Sequence, residues 1–221
     1  MRELLIVPSR LVSDADLIKV GSPMRDRGEW AVKKSQQARW NARYHEAPGR
    51  FGAEPAALLV ELVAGLEVGS AVEFGCGEGR NCRYLEDDGW AVLGIDFSTV
   101  AIKHARVCTQ VSSFVCADVS KLSSDVVASG SFDLACAVFL HTCKRERERW
   151  FVEMVKAVRP GGYVIYVGHA PGAKPEPVRP AATALAHDKL QQLKVRYTGH
   201  DSAAEPGHNA LTDFGILWRR I

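Results

Sequence analysis

Residues 70–98, SAVEFGCGEGRNCRYLEDDGWAVLGIDFS, constrain the fold more than any other stretch of the chain. A short apolar run, Ala71, Val72 and Phe74, is interrupted by one acid, Glu73. Gly75, Gly77 and Gly79 follow at alternate positions, then a segment compatible with a helix. A second apolar run over 90–95 ends on Asp96. The order is strand, glycine-rich turn, helix, strand, acid, which is half of a nucleotide-binding α/β unit. Glycines at such a turn let the backbone approach a ligand closely, and an acid at the end of the second strand can accept hydrogen bonds from ribose hydroxyls.

The remainder of the chain repeats this alternation. Pro55 suits the first turn of a helix in which Leu58, Leu59, Leu62, Val63 and Leu66 keep the helical period, stopped by 67–69. Strand one covers 70–74, a helix runs from about Gly79 to Asp88, and strand two covers 90–95. Ser98 fits the N-cap of a helix whose inward stripe is Ala101, Ile102 and Ala105. Strand three is SFVC, 113–116, and the polar 119–130 segment reads as a short helix and loop. Strand four, 132–139, is apolar almost throughout, as in a parallel strand covered on both faces. The mixed charges of 144–149 open a helix with Phe151, Met154, Val155 and Val158 on one face. Arg159-Pro160-Gly161-Gly162 breaks it ahead of strand five, 163–169. A proline-rich loop over 170–180, a helix over about 181–193 and two strand-like runs, 194–199 and 214–221, complete the chain. Two strands with no helix between them make an antiparallel hairpin. Five β–α units and a hairpin give one α/β domain.

Composition sets the outer bounds. A chain of 221 residues with 47% hydrophobic content can bury a full core. Net charge +2 offers no electrostatic case for nucleic acid or an anionic membrane. The apolar run at 4–7 is stopped by Pro8 and Arg10, too short for a signal-peptide core, so a cytoplasmic protein is expected. The six cysteines form no CxxC pair, and neither a disulfide framework nor a metal site is expected. Residues 1–29 read as an N-terminal extension, leaving 30–221 as the domain. At its start, about 30–46 forms a helix that puts Trp40 and Tyr44 on one face. It serves either as a lid over a ligand or as a helix pinned to the domain by its aromatics, and the two roles are compatible.

A nicotinamide site needs G-x-G-x-x-G, but Arg80 stands where the third glycine belongs. Glu73-x-Gly75-x-Gly77-x-Gly79 instead resembles motif I of the Rossmann-like S-adenosylmethionine-dependent methyltransferases. Asp96, Asp118, Phe132-Asp133 and Arg159-Pro160-Gly161-Gly162 resemble that family's later motifs in their order. The resemblance covers about 52–221. It implies a three-layer sandwich with a seven-stranded, mostly parallel sheet whose last strand is antiparallel. It also implies S-adenosylmethionine as cofactor, S-adenosylhomocysteine as product and methyl transfer to a small molecule. By position, Gly75, Cys76 and Gly77 would pack beside the methionyl portion, and Asp96, followed by Phe97, would take the ribose. Asp118 and Val119 would meet the adenine. Glu73 would order the loop or meet the cofactor's amine, which Ala137 and Val138 would border. Gly79-Arg80-Asn81 and the 40–44 segment, WNARY, look most like the tellurite-resistance and thiopurine methyltransferase branch. In that branch Arg80 would bind the cofactor's carboxylate; as a surface arginine at a helix start it would not.

Methyl transfer from a sulfonium needs no acid for its leaving group, and a base only where the acceptor must lose a proton. Residues following strands four and five face the crevice of such a fold. His141 and His169 are therefore the candidate bases, each equally readable as a strand-end histidine bonded to backbone. Trp40, Tyr44, His141 and Cys143 are expected to wall the acceptor. An RNA or protein methyltransferase is the first alternative, but the chain has Phe139-Leu140-His141-Thr142 where an Asn/Asp-Pro-Pro-Tyr/Phe motif would stand. A non-catalytic cofactor-binding protein is the second. No metal is implied, and the expected assembly is a monomer or homodimer.

Overall fold

A computed structural model describes residues 27–109, 112–170, 189–199 and 212–221. The chain divides into two units, Met1–Gln36 and Gln37–Ile221. Of the first, the structure describes the opening of helix α1, Arg27–Glu46, which begins three residues before the expected Trp30. The remainder of the extension expected over 1–29 lies outside the described residues.

The second unit holds a seven-stranded sheet. Its strands are β1 (Ser70–Phe74), β2 (Ala91–Asp96), β3 (Ser113–Cys116), β4 (Phe132–Val138), β5 (Val158–Ala170), β6 (Leu190–Gly199) and β7 (Thr212–Arg220). They lie in the order β3-β2-β1-β4-β5-β7-β6. β1 to β5 are parallel, and β7 runs antiparallel between β5 and β6. Strand order reverses between β1 and β4, and crevices for ligands open at the carboxyl ends of strands on either side of such a point.

Period-two alternation splits the core between the two faces of the sheet. Ala71, Leu134, Ile165 and Leu217 point to one face. There they pack against α2 (Ala57–Val63), α3 (Arg80–Asp87) and α4 (Thr99–Cys108) through Leu59, Leu62, Leu85 and Ile102. Their neighbours Val72, Ala135, Val164 and Ile216 point to the other face, against Trp150, Phe151, Met154 and Val155 of α5 (Lys144–Ala157). The result is an α/β three-layer sandwich of the expected Rossmann-like form. Trp150 and Phe151 are wholly buried, so truncating either to alanine would cost about 3–5 kcal/mol.

The elements depart from the sequence reading at several places. Val158 is not on the α5 face: it is the first residue of β5 and pairs with Phe132. Arg159-Pro160-Gly161-Gly162 then bulges out before Tyr163 re-enters opposite Leu134. Gly161 sits at φ +80, and a Cβ on Gly162 would meet the Asp133 carbonyl at 2.7 Å. Leu190 to Leu193, expected to close a helix, instead belong to β6, where Gln191 and Gln192 pair with Arg219 and Trp218. Ladder pairing with β7 overrides their helical propensity. The loop expected over 170–180 and the body of that helix lie outside the described residues, apart from Ala170, which ends β5. The polar 119–130 segment holds only a 3-10 turn, Val119–Lys121, and α2 stops at Val63, short of Leu66.

Candidate active site

The turn from β1 to α3 takes a shape that only glycine accepts readily. Gly75 (φ +78), Gly77 (φ +55) and Gly79 (φ +81) are all left-handed, where a Cβ crowds the following carbonyl. The space around them is also closed. A Cβ on Gly75 would lie 2.6 Å from Leu140 Cδ1, and one on Gly77 2.8 Å from the Tyr44 hydroxyl.

Two buried acids hold this turn from behind. Asp96, at the end of β2, accepts from Gly77 N–H at 2.9 Å and from Ser98 N–H at 2.8 Å. Burial raises its carboxyl above the usual range, against the opposing pull of these backbone donors. Glu73 is 1% exposed and accepts from Asn81 Nδ2 at 2.7 Å and Cys82 Sγ at 3.1 Å. Burial pushes its carboxyl up to about 7, even though Asn81 and Cys82 favour the charged form. Asn81 in turn accepts from Ala56 N–H at 2.9 Å, tying the start of α2 to the glycine turn. Cys76 is held by burial as a neutral thiol, its pKa pushed up to about 11.

A cavity of about 630 Å³ opens in front of this turn, within the 300–1,000 Å³ typical of small-molecule sites. Glu73, Gly75, Cys76, Gly77, Arg80 and Val138 line it, as do Trp40, Tyr44, His141 and His169. Arg80 donates to the Phe51 carbonyl at 2.5 Å, so it also fastens the loop after α1. Burial lowers its guanidinium pKa, although Glu73 works the other way. Tyr44 is buried over Gly77, with Trp40 at 5.8 Å and Phe51 at 6.0 Å between ring centres. Arg43 lies over the Trp40 ring at 5.0 Å. Asn41 accepts from the Ser98 hydroxyl at 2.7 Å, and Gln37 donates to the Phe97 carbonyl at 2.6 Å. The second half of α1 is thus pinned to the domain and forms part of the cavity wall.

The ends of β4, β5 and β7 line the cavity as well. Phe139 follows β4 at φ +52, the one non-glycine residue with positive φ among those described. A bulky residue held there costs roughly 1–3 kcal/mol. The kink sets Leu140 over Gly75 while Phe139 and His141 line the cavity. The His169 ring stacks on Phe139 at 4.6 Å and on His141 at 5.2 Å, and its Nδ1 bonds Asp213 Oδ1 at 2.7 Å. Burial first, then His169 and Arg43, lowers the pKa of His141 below the ordinary histidine value.

Other expected site residues stand outside this lining. Asp96 and Phe97 lie behind the glycine turn, reached through the bonds just given. Asp118 caps the 3-10 turn, accepting from Ser120 N–H at 3.0 Å. Val119 and Ala137 are buried on the α5 face of the sheet. Cys143 is exposed as the N-cap of α5 and does not line the cavity, so the structure gives it no place in the expected acceptor wall. Residues missed from the sequence include Asn81, Arg50, Phe51, Phe139 and Asp213, all of which line the cavity. The Gly-Arg-Asn sequence was a signal for Asn81. No spacing rule connects Asp213 to His169.

Among the described residues, no three His, Cys, Asp or Glu side chains are grouped as metal ligands, and no helix is long and apolar enough to cross a membrane.

Known proteins share this architecture. Residues 72–166 match the family model described as a methyltransferase domain. The chain is 30% identical over 119 residues to malonyl-[acyl-carrier protein] O-methyltransferase of Salmonella typhimurium, a match covering 53% of this chain and 46% of that protein. It spans about half the length of the curated relatives it matches. Among solved structures, Burkholderia thailandensis 1,6-didemethyltoxoflavin-N1-methyltransferase, with 1,6-didemethyltoxoflavin and S-adenosylhomocysteine bound, superposes with TM-score 0.68 at 17% identity. That match covers 91% of this chain and 93% of the other. The N-methyltransferase NodS of Bradyrhizobium japonicum, in complex with S-adenosylhomocysteine, gives TM-score 0.61 at 19% identity, covering 84% and 97%. At these identities the solved structures establish the fold.

Proposed function

We propose that this chain transfers a methyl group from S-adenosylmethionine to a nucleophilic atom of a small molecule. One observation carries the reading: a left-handed glycine turn, backed by buried Asp96 and Glu73, borders a small-molecule-sized cavity beside the β1/β4 switch point. The residues fit the cofactor. Gly75 and Gly77 bring backbone to the cavity, Glu73 adds a carboxyl and Arg80 a cation to its lining, and Asp96 stands directly behind the turn, bonded to Gly77 N–H. When bound, the cofactor supplies a methyl group activated on a sulfonium.

In this proposal the backbone of Gly75, Cys76 and Gly77 holds the methionyl portion and Asp96, with Phe97, holds the ribose. Asp118 and Val119 take the adenine, Arg80 the carboxylate, and Glu73, Ala137 and Val138 border the amine. Trp40 and Tyr44 exclude water from above, and His141 and His169 stand as candidate bases on the acceptor side. Positioning and exclusion of water are the main tasks of a protein in such a displacement. The finer likeness to the tellurite-resistance and thiopurine branch rests on Arg80-Asn81 and the 40–44 segment, and both segments contribute to the cavity wall. A small acceptor is favoured because the cavity is of small-molecule size and is lined by the aromatic rings of Trp40, Tyr44, Phe51 and Phe139.

The test is a panel of thiol, phenol, amine and carboxylate acceptors incubated with methyl-labelled cofactor. Label transferred to at least one acceptor is expected. Cofactor binding with no transfer to any of them would favour a non-catalytic binding protein.

A further inference from the structure

A small pocket adjoins the cavity at the carboxyl ends of β4 and β5 and has a chemistry of its own. Its volume is about 130 Å³, below the 300–1,000 Å³ of a whole-ligand site and suited to a single functional group. Phe139, His141 and His169 line both spaces, so pocket and cavity meet at these rings. Arg147 lines the pocket from the first turn of α5, Tyr166 from β5, and Thr142 from the segment ahead of α5. Buried Trp150 sets both hydroxyls. Its ring packs 5.8 Å from that of Tyr166, and its Nε1–H donates to Thr142 Oγ1 at 2.9 Å. An indole only donates, so Thr142 accepts there and its own hydroxyl proton is directed elsewhere.

The Tyr166 phenol is arranged in the same way. It is buried, and a Cβ on Gly168 would lie 3.0 Å from its hydroxyl oxygen, so the glycine gives that oxygen its place at the pocket. Burial raises the Tyr166 pKa, and Arg147 opposes this by its charge and by a hydrogen bond, which sets the guanidinium beside the phenol. A guanidinium only donates, so the phenol proton is also directed elsewhere. Among the described residues lining the pocket there is no carboxylate. Asp213 lines the larger cavity only, where it is bonded to His169 Nδ1. One fixed cation, two hydroxyl protons and no anion among them make a receptor for a monoanion, and the positive end of the α5 dipole adds to it. A planar carboxylate matches the guanidinium fork, whereas a phosphate dianion would leave one negative charge against a single cation.

Resting on the methyltransferase reading above, we propose that this pocket is the specificity site for a carboxylate of the acceptor, held by Arg147, Tyr166 and Thr142. Donors that stabilise the charge of a carboxylate lower its basicity, and with it its nucleophilicity. The bound group is therefore an anchor, and the methyl group goes to another atom of the same molecule. Trp40, Phe51 and Phe139 line the adjoining space with flat rings, which suit an aromatic body. The acceptor class is an aromatic monocarboxylate.

The experiment compares the whole protein with its Arg147→Gln, Arg147→Lys and Tyr166→Phe variants. Calorimetry measures benzoate, benzamide and phenyl phosphate, with and without S-adenosylhomocysteine, and S-adenosylmethionine by itself. Benzoate is expected to bind at least about tenfold tighter than either other probe, the worth of a charge-assisted bond. Arg147→Gln should abolish that preference while cofactor affinity stays within about twofold. Arg147→Lys, which keeps the charge but not the fork, should keep part of it, and Tyr166→Phe should cost about fivefold. With methyl-labelled cofactor, 4-hydroxy-, 4-amino- and 4-mercaptobenzoate are each compared with the corresponding amide. At least one carboxylate should be labelled with KM about tenfold or more below its amide, and Arg147→Gln should raise that KM with kcat changed less than about threefold. Equal affinity for benzoate and benzamide, tighter binding of phenyl phosphate, or a benzoate preference retained in Arg147→Gln would each overturn the proposal. So would label on none of the carboxylates. Loss of cofactor affinity in Arg147→Gln would overturn it as well, by giving the pocket to the cofactor's own carboxylate. Failure of the unaltered protein to bind the cofactor would instead remove the methyltransferase reading, and the acceptor role with it, while benzoate binding without cofactor still reads the pocket.

Discussion

The two walls of the cavity are built differently. The glycine-turn wall, from Glu73 to Asn81 with Asp96 behind it, comes from one continuous β–α–β segment. Its polar groups bond one another: Asp96 to Gly77 and Ser98, Glu73 to Asn81 and Cys82. The acceptor wall is assembled from α1, the segment after β4, β5 and β7, with Trp40, His141, His169 and Asp213 far apart in sequence. Its geometry depends on aromatic stacking, one strained residue and one cross-strand bond. A local wall is dictated by spacing. A composite wall follows only from strand register.

Changes to the first wall should therefore act on cofactor affinity and stability, and changes to the second on the acceptor. The largest effect is expected from Asp96→Ala. It strands two buried backbone N–H groups and, in the proposed site, removes two charge-assisted bonds to ribose, for a loss of cofactor affinity of about 10²-fold. Affinity equal to that of the unaltered protein in calorimetry would remove the ribose assignment and blur the distinction between the walls.

Glu73 gives an effect on stability instead. Burial raises its folded-state pKa from the ordinary 4.5 to about 7, so the folded state binds the proton more tightly than the unfolded chain. Stability from this group is fully present below about pH 4.5 and is lost as pH rises through about 7, by an amount on the order of 3 kcal/mol. Glu73→Gln, neutral at all pH, should flatten that decline. Urea melts at pH 5 and pH 8 would show it, and an undiminished slope in the variant would place the titration elsewhere.

On the acceptor side, Trp40→Ala should raise the acceptor KM by about tenfold, as for loss of a stacked aromatic contact, with cofactor affinity changed less than about threefold. Equal losses in both constants would mean that the two walls act as one. The smallest effect belongs to Cys143→Ser. The residue is exposed and away from the cavity, so turnover should stay within about twofold, the ordinary range for a surface substitution. A large loss in steady-state kinetics would return Cys143 to the acceptor wall.

The same contrast explains what could be read before the structure. The glycine turn, the acid ending β2 and the succession of strands were legible because each is a local pattern with a backbone cause. The extra residues at the start of β5 were not, because Arg159-Pro160-Gly161-Gly162 reads as a break, whereas it is a bulge between two paired segments of one strand. β6 was misread at Leu190 to Leu193 because residues with good helical propensity were captured by pairing with β7. His141 and His169 were identifiable from their positions after strands. Asp213 and Phe51 were not, since only the folded register and the loop after α1 bring them to the site.

The central claim is that the glycine turn between β1 and α3 receives S-adenosylmethionine. Its most direct test is calorimetric titration of the unaltered protein with S-adenosylmethionine and with S-adenosylhomocysteine. Saturable one-to-one binding of both, with each displacing the other, is the predicted result. Absence of binding by either, in a protein shown to be folded by its melting transition, would contradict it.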